Sequence, residues 1–338
     1  MLAAKTKLKN AQKVKQFLLD KYLLDNDYSL KKKRNFLYYP LKKTVEHKLF
    51  EVVDFELELK PKLETIESLL EKKLTVEELK MMPHSQEVVG DILILEIPSK
   101  LEKKEKVIGE AYLKLHKNIL TVVKKTDIHS GAFRTRGVEI LAGENKKETV
   151  HIESSVKIKL DLEKTYFSAR LGHERLRIAK QVKLGENVLV MFSGSSPYPL
   201  ILAKHSPVNK IVGVELNPDA YNFGVQNVRM NKLGRKVSLI NGDVREVLPK
   251  MNEKFDRILM PLPKTGEEFL DVALERVVKG GIVHLYAFLN EKEIENYSKK
   301  IIDKCKELGY NVEIVNVVKC GQHAPYTFRV CYDLKIVN

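Results

Sequence analysis

Tryptophan is absent from the 338 residues, and cysteine occurs only three times, at Cys305, Cys320 and Cys331. Such wide spacing gives no CxxC pair, which argues against a zinc site and a disulfide framework and leaves three buried thiols as the expectation. No metal is expected. Long apolar runs are missing too. Nothing approaches the roughly 20 residues of a membrane span, and the opening MLAAKTKLKN lacks the apolar stretch of a secretory signal, so the expected location is cytoplasmic. Acidic residues are the scarcer charge: 59 Lys and Arg against 45 Asp and Glu give a formal +14. That excess favours a polyanionic partner, because each phosphate neutralised releases counterions. It also suits a membrane surface or a hot growth environment, so charge by itself names no partner.

What is present exceeds one core, and two or three domains are expected. Residues 1–60 read as a small α/β module, with a helix over Ala11–Leu24 and strands around Tyr28–Leu30 and Phe36–Tyr39. Between them Lys31, Lys32, Lys33, Arg34 and Asn35 form a basic turn, for which a solvated hairpin tip and a phosphate contact are both open readings. Residues 61–82 are charged and helical in pattern, with Pro61 and Pro83 at the edges, and read as a linker. A central α+β module is expected over 83–165. It has a strand pair in Val88–Ile97, a helix over Glu105–His116, a β-rich segment at Ile119–Lys125 and a hairpin through Thr149–Leu162.

From about Tyr166 to the end at 338 the pattern alternates. Apolar runs at Val188–Phe192, Lys210–Leu216, Val237–Ile240, Phe255–Met260 and Gly281–Phe288 are separated by helical stretches. This is the α/β pattern of a mostly parallel, Rossmann-like sheet covered on both faces. Asn311–Val318 and Thr327–Ile336 then pair antiparallel. That tail resembles the closing arrangement of class I methyltransferases, here preceded by two smaller α+β modules for RNA recognition.

In such a sheet a ligand sits beyond the carboxyl ends of the strands. Phe192-Ser193-Gly194-Ser195-Ser196-Pro197-Tyr198 follows the first strand, Glu215 ends the second, and Gly242-Asp243-Val244 follows the third. Gly194 permits close backbone approach, Glu215 can accept both ribose hydroxyls, and Asp243 is placed to accept from an adenine amino group. A second reading makes Glu215 a helix-capping acid, since Leu216-Asn217-Pro218 opens a helix with Asn217 as N-cap. Ser195-Ser196 stand where a dinucleotide loop needs a further glycine. S-adenosylmethionine carries no phosphate and tolerates that loop better. Pro261-Leu262-Pro263-Lys264 follows the fourth strand. Two prolines one residue apart fix a rigid loop, either a grip on a target base or an ordinary β-to-α turn.

Taken together and in this order, several motifs resemble the archaeal tRNA guanosine-37 N1-methyltransferases and their paralogues of wyosine biosynthesis. They are Gly131–Arg136, Leu141–Glu144, Tyr166–Arg175, Phe192–Tyr198, Gly242–Glu246 and Pro261–Lys264, with Lys21–Pro40 at the N-terminus. The resemblance covers nearly the whole chain. It implies S-adenosylmethionine as cofactor, tRNA as partner and a monomer. It places the catalytic arginine on Arg134, facing a guanine carbonyl oxygen, and the catalytic glutamate on Glu174, a base for the ring-nitrogen proton. Tyr166 and Arg170 fall where the family orders the cofactor and substrate edge. Phe192, Gly194, Tyr198, Glu215, Leu216, Asn217, Gly242, Asp243, Val244 and Pro261 fall on its cofactor contacts. Arg136, Pro261, Leu262, Pro263 and Lys264 fall on its substrate contacts, with Lys31, Lys32, Lys33 and Arg34 added from the basic turn. Taken as residues alone, Arg134 and Arg136 fit phosphate binding equally, and Glu174 fits an acid near a helix N-terminus.

Two positions depart from the family pattern: Ser196 replaces a frequent glycine, and Pro261 replaces a frequent asparagine. The Pro-Leu-Pro form resembles the paralogues that also methylate C7 of 4-demethylwyosine. Other functions predict other features. An aminocarboxypropyltransferase of the same pathway is expected to be shorter and to lack Pro-Leu-Pro. A non-catalytic RNA-binding relic would account for the serines of the loop. A nicotinamide oxidoreductase would need more glycine there.

Overall fold

The computed structural model describes residues 1–60, 64–83, 85–126 and 137–338. Two compact units divide between Thr65 and Ile66. The first holds β1 (Leu2–Lys7), α1 (Ala11–Asp20), β2 (Lys31–Lys33), β3 (Phe36–Pro40) and β4 (Glu51–Asp54) in the sheet order β2-β3-β1-β4. Ala4, Val14, Leu18, Tyr39 and Leu41 form a core of its own.

Two local expectations fail here for backbone reasons. The helix stops at Asp20, not Leu24, because Tyr22 enters the left-handed region at φ 54°. Tyr22 N then donates to Leu19 O (3.0 Å) and Leu23 N to Leu18 O (2.9 Å), a Schellman ending without the usual glycine. The expected strand at Tyr28–Leu30 is displaced to Lys31–Lys33. Lys33 pairs with Phe36, so only Arg34 and Asn35 make the turn, with Arg34 at φ 54°. Lys31 is ion-paired with Glu58 at 2.9 Å, whereas Lys32, Lys33 and Arg34 are exposed.

In the second unit α2 (Ile66–Leu70) and α3 (Val76–Lys80) occupy the stretch expected as a linker. Leu70, Leu74 and Met82 are buried with Leu93, Leu101, Ile108 and Val122 in one core. Around that core lie β5 (Gln86–Val89), β6 (Ile92–Leu95), α4 (Glu105–Leu115), β7 (Thr121–Lys125) and β8 (Val138–Gly143), with strands in that order and β6 parallel to β7.

The hairpin β9 (Glu148–Glu153) and β10 (Val156–Asp161) packs on the C-terminal part of the chain. Alternate residues Val156, Ile158 and Leu160 are buried with Val188, Val190, Leu200 and Ile201.

The catalytic-type sheet keeps to the expected plan. In chain order it comprises α5 (Gly172–Gln181), β11 (Asn187–Met191), α6 (Pro197–His205), β12 (Lys210–Glu215), α7 (Pro218–Met230), β13 (Val237–Asn241) and α8 (Val244–Val247). It continues with β14 (Phe255–Met260), α9 (Leu270–Leu274), β15 (Val277–Asn290), α10 (Ile294–Glu307), β16 (Val312–Ala324) and β17 (Thr327–Ile336). The order is β13-β12-β11-β14-β15-β17-β16, parallel up to β15, with β17 antiparallel to both neighbours. Strand order reverses between β11 and β14, and there the carboxyl ends open a crevice.

Asn227 on α7 and Asn231 at its C-cap, one turn apart, clamp β10 from outside. Asn227 accepts from Lys159 N (2.7 Å) and donates to Lys159 O (2.9 Å). Asn231 repeats this pairing at Lys157, with bonds of 2.9 and 2.7 Å. The Asn227 amide also donates to Ser195 O (3.0 Å), which ties the loop after β11 to the hairpin. Of the three cysteines, Cys305 and Cys331 are buried as expected. Cys320 is only half-buried, because it sits on the outer strand β16.

Through the sheet runs a chain of buried polar contacts. Glu186 accepts from Arg257 (2.8 Å), and Arg257 donates to His284 Nε2 (2.7 Å). His284 Nδ1 meets Asp333 (2.6 Å), and Asp333 accepts from Arg177 (2.8 Å). Arginine has no acceptor, so Nε2 must be the bare nitrogen and the imidazole is neutral with its proton on Nδ1. Burial lowers the pKa of His284 in the same sense, more than the neighbouring Asp333 raises it. Burial alone would raise the Asp333 carboxyl. The hydrogen bonds from His284 and Arg177 outweigh it and hold the carboxyl well below the usual carboxylate range.

This fixes the sign of a pH effect. A depressed folded-state pKa contributes stability above the unfolded carboxyl value of about 4, and that stability is lost as pH falls toward the folded value. Asp333→Ala is expected to lower unfolding stability by about 3–5 kcal/mol at neutral pH, because it leaves the buried His284 without its acceptor and half-buried Arg177 with Glu174 alone. The deficit should shrink in acid. Urea midpoints for both proteins at neutral and acid pH check this, and equal midpoints at neutral pH would contradict it.

Candidate cofactor and acceptor site

The loop from Phe192 to Ser196 begins where β11 ends. Phe192, Gly194 and Ser196 take positive φ of 57°, 58° and 70°, which folds the chain back on itself before α6 starts at Pro197. Ser196 therefore occupies a conformation in which glycine is the unstrained residue, a strain on the order of 1–2 kcal/mol. The neighbouring helix supplies room for it: a Cβ on Gly224 would lie 2.6 Å from Ser196 Oγ. Serine thus keeps the backbone path that the resemblance assigns to glycine.

Glu215, the last residue of β12, reaches this loop. Its two carboxylate oxygens accept from Gly194 N (2.6 Å) and Asn217 N (2.8 Å). Burial raises its pKa, and the backbone N–H groups of Asn217 and Gly194 only partly offset this. The helix-capping role belongs to Asn217 instead, whose side chain accepts from Asp219 N at 3.0 Å. Each oxygen of Glu215 keeps a further lone pair for an outside donor.

A cavity of about 520 Å³ opens onto this carboxylate. Tyr166, Phe192, Gly194, Tyr198, Glu215, Leu216, Asn217, Pro261, Leu262 and Lys264 of the expected set line it. Gly242, Asp243, Val244, Arg170 and Pro263 do not. One oxygen of Asp243 accepts from Arg245 N (2.8 Å) at the start of α8. Gly242 N donates to Glu215 O (3.0 Å), so this loop abuts the end of β12 without facing the hollow. Arg170 lines a neighbouring cavity. Arg134 and Arg136 lie outside the described residues.

Pattern reading overlooked Arg175, Phe167, Ser168, Leu171, Ala220, Thr265 and Phe269, all on the wall. Arg175 is 1% exposed, is forked by Glu153 and donates to Ser168 O (3.1 Å). It was visible only as the end of the Tyr166–Arg175 motif. Its partner Glu153 ends β9, 22 residues before it. Phe269 meets Phe192 edge-on at 5.0 Å, a contact between segments 77 residues apart that has no local signature.

Pro261 turns the rim. Leu262 N donates to Met260 O (2.8 Å), an i to i+2 turn whose central φ suits proline, and Pro263 O accepts from Phe288 N (2.9 Å). The loop is rigid and gives no side-chain hydrogen bond at Pro261.

Glu174 is 4% exposed and sits behind the wall. Arg177 grips both its oxygens (2.7 and 2.8 Å), and Tyr286 donates to Oε1 (2.6 Å). Tyr198 on the wall donates in turn to the Tyr286 hydroxyl (2.9 Å). Burial pushes both phenols well above their usual pKa, so both stay protonated.

A hollow lined by aromatic and aliphatic groups, with one half-buried carboxylate, suits an uncharged nucleoside. Arg175 is consumed by Glu153, and Lys264 is the other cation on the wall, so a pyrophosphate would find little countercharge. The adenosyl group of S-adenosylmethionine fits these residues, with Glu215 as the ribose acceptor.

Comparisons with known proteins agree along the chain. Residues 149–314 match the TRM5/TYW2 methyltransferase domain, 66–146 the TYW2 N-terminal domain and 3–50 the tRNA methyltransferase 5 N-terminal domain. The chain is 35% identical over 337 residues to the tRNA (guanine(37)-N(1))-methyltransferase Trm5b of Pyrococcus abyssi, covering 99% of each. The crystal structure of wild-type Trm5b from that organism superposes with a TM-score of 0.82 over 100% of both chains. The tRNA (guanine(37)-N(1))/4-demethylwyosine(37)-methyltransferase Taw22 of Nanoarchaeum equitans is 32% identical, over 66% of this chain and 90% of that one. The crystal structure of Pyrococcus horikoshii TYW2 in complex with MeSAdo is 31% identical with a TM-score of 0.69, over 80% of this chain and 98% of that one. This chain belongs to the TRM5/TYW2 family of methyltransferases.

Proposed function

We propose that this protein transfers the methyl group of S-adenosylmethionine to N1 of guanosine 37 in tRNA and, through its Pro261-Leu262-Pro263 rim, also to C7 of 4-demethylwyosine at that position. The observation that carries this reading is the carboxylate of Glu215 at the floor of a hollow poor in cations, beside a buried proton-accepting chain. Bound S-adenosylmethionine supplies an electrophilic methyl group on its sulfonium. Both acceptors lose a ring proton, so both reactions need a base. Glu174 is that base by family position. The hydroxyls of Tyr198 and Tyr286, each donating to the next acceptor, join the cavity wall to its carboxylate. Arg134 stabilises charge on the acceptor's carbonyl oxygen, and Arg136 binds the RNA backbone, both by family position. Asp243 and Arg170 serve the edges of the bound cofactor and acceptor. Lys32, Lys33 and Arg34 meet tRNA phosphates.

No helix among the described residues is long and apolar enough to cross a membrane, and the enzyme is proposed to act as a cytoplasmic monomer. Transfer of the aminocarboxypropyl group from the same cofactor is the competing chemistry. The rigid proline rim favours the methyl reading. Nucleoside mass analysis separates them after incubation with unmodified tRNA and with tRNA bearing 4-demethylwyosine. A methyl mass gain on both supports the proposal, and the heavier chain on either would overturn it.

The two carboxylates are tested separately. Glu215→Ala should weaken cofactor binding about tenfold or more in calorimetry, since two hydroxyl partners are lost. Because the pKa of Glu215 is raised, wild-type affinity should fall as pH drops toward it from neutrality, and Glu215→Ala should be flat over that range. A parallel fall in both proteins would remove Glu215 from the site. Glu174→Gln should reduce single-turnover methyl transfer about a hundredfold or more with cofactor affinity kept, and an unchanged rate would refute its role.

A further inference from the structure

The last strands brace the wall of the cofactor hollow from outside. Arg329 of β17 stands directly across from Phe288 of β15 in the antiparallel ladder, which puts both side chains on one face of the sheet. The guanidinium lies 5.0 Å from the centre of the Phe288 ring and donates to the Tyr166 hydroxyl at 2.6 Å, across 163 residues of sequence. Phe288 N donates to Pro263 O (2.9 Å) in the loop after β14. One cross-strand pair therefore touches both Tyr166 and the proline loop, and Tyr166, Pro261, Leu262 and Lys264 all line the hollow. Arg329 itself does not line it.

A cation at this place is a poor choice for stability. Arg329 is 8% exposed, and its Nε is buried without a hydrogen-bond partner. Burying a guanidinium with an N–H unsatisfied costs free energy, and an apolar side chain of similar volume in such a place is often neutral or stabilising. What an apolar side chain could not supply is the bond to Tyr166. That ring is half-buried and lines two hollows, the cofactor's of about 520 Å³ and a neighbour of about 530 Å³. Among the described residues it lacks close-packed neighbours toward either hollow, so the bond at its tip supplies the constraint that packing gives elsewhere.

We infer that Arg329 is a positioning residue for the cofactor site: it holds Tyr166 in place as part of the wall and acts through that ring, without touching the cofactor. The inference rests on the S-adenosylmethionine reading of the hollow and not on which base is methylated. Arg329 lies outside the motifs that carry the family resemblance.

Calorimetry of the full-length protein with S-adenosylhomocysteine, which binds without reacting, tests this through a double-mutant cycle. Arg329→Met and Tyr166→Phe should each weaken affinity roughly fivefold, within the coupling range of residues in contact, and the double variant should bind no more weakly than either. Arg329→Lys, which keeps a cationic donor, should bind more tightly than Arg329→Met. The thermal midpoint of Arg329→Met should equal or exceed that of wild type, an outcome that a merely structural arginine would not give. Wild-type affinity in either single variant would overturn the inference, and so would single effects that multiply in the double variant. Should Arg329→Met lose its thermal transition, Tyr166→Phe, which keeps the ring, decides alone. A cycle that behaves as expected in a protein that adds no methyl group to tRNA would instead sink the proposed reaction and leave the role of Arg329 standing.

Discussion

Asp333 has no exposed surface and carries charge, and the placement of the site depends on how that charge is held. An ionised carboxylate in a sheet interior persists only if it is paired and hydrogen-bonded. Its partners come from three directions: His284 on β15, Arg177 on α5, and Gln181 one turn further along α5. Since β15 and β17 are neighbours in the sheet, Asp333 fixes α5 across both. Arg177 is divided between Asp333 and Glu174, so the constraint passes on to Glu174 and, through Tyr286, to Tyr198 on the cavity wall. A chain that begins at Glu186 before β11 thus ends where a substrate would lie. Removing any member leaves a buried neighbour unsatisfied, and so the geometry is rigid.

The same logic separates the two hollows. Glu215 is held by backbone N–H groups and keeps unused lone pairs, which makes it an acceptor for a neutral ligand's hydroxyls. Arg329 is held by the Tyr166 hydroxyl and against the Phe288 ring, and its unpaired Nε is shut away from the hollow. The segment Tyr166–Leu171 stands between them and lines both.

Much of this architecture was legible because its parts are local. Strands β11 and β12 are nearly continuous apolar runs, as both-face burial requires, β14 is apolar apart from Asp256 and Arg257, and the loop after β11 and the acid ending β12 sit at fixed offsets from them. The N-terminal strands were not legible in the same way. Leu2–Lys7 alternates small and charged residues and is buried through Ala3, Ala4 and Thr6, which carry little hydrophobic signal. The end of α1 was missed because tyrosine, not glycine, takes the left-handed position. Glu174 was found by motif, but its partners Tyr286 and Arg177–Asp333 involve sequence separations of 112 and 156 residues, beyond any window of periodicity. Asp243 follows β13 as the spacing implied, and one of its carboxylate oxygens also caps the short helix α8, a second use that sequence position does not reveal.

The proline rim gains its meaning from this geometry. An asparagine at position 261 would present an amide, and an amide discriminates by demanding a complementary base edge. Proline presents none, and the turn closed by Leu262 N and Met260 O leaves its ring as a flat apolar surface. Under the proposed reaction, selection then shifts away from hydrogen bonds at the rim toward shape and stacking. A planar bicyclic guanine and a planar tricyclic 4-demethylwyosine differ in outline but share a stacking face. A site that grips faces admits both, whereas one that reads a full edge would exclude one of them.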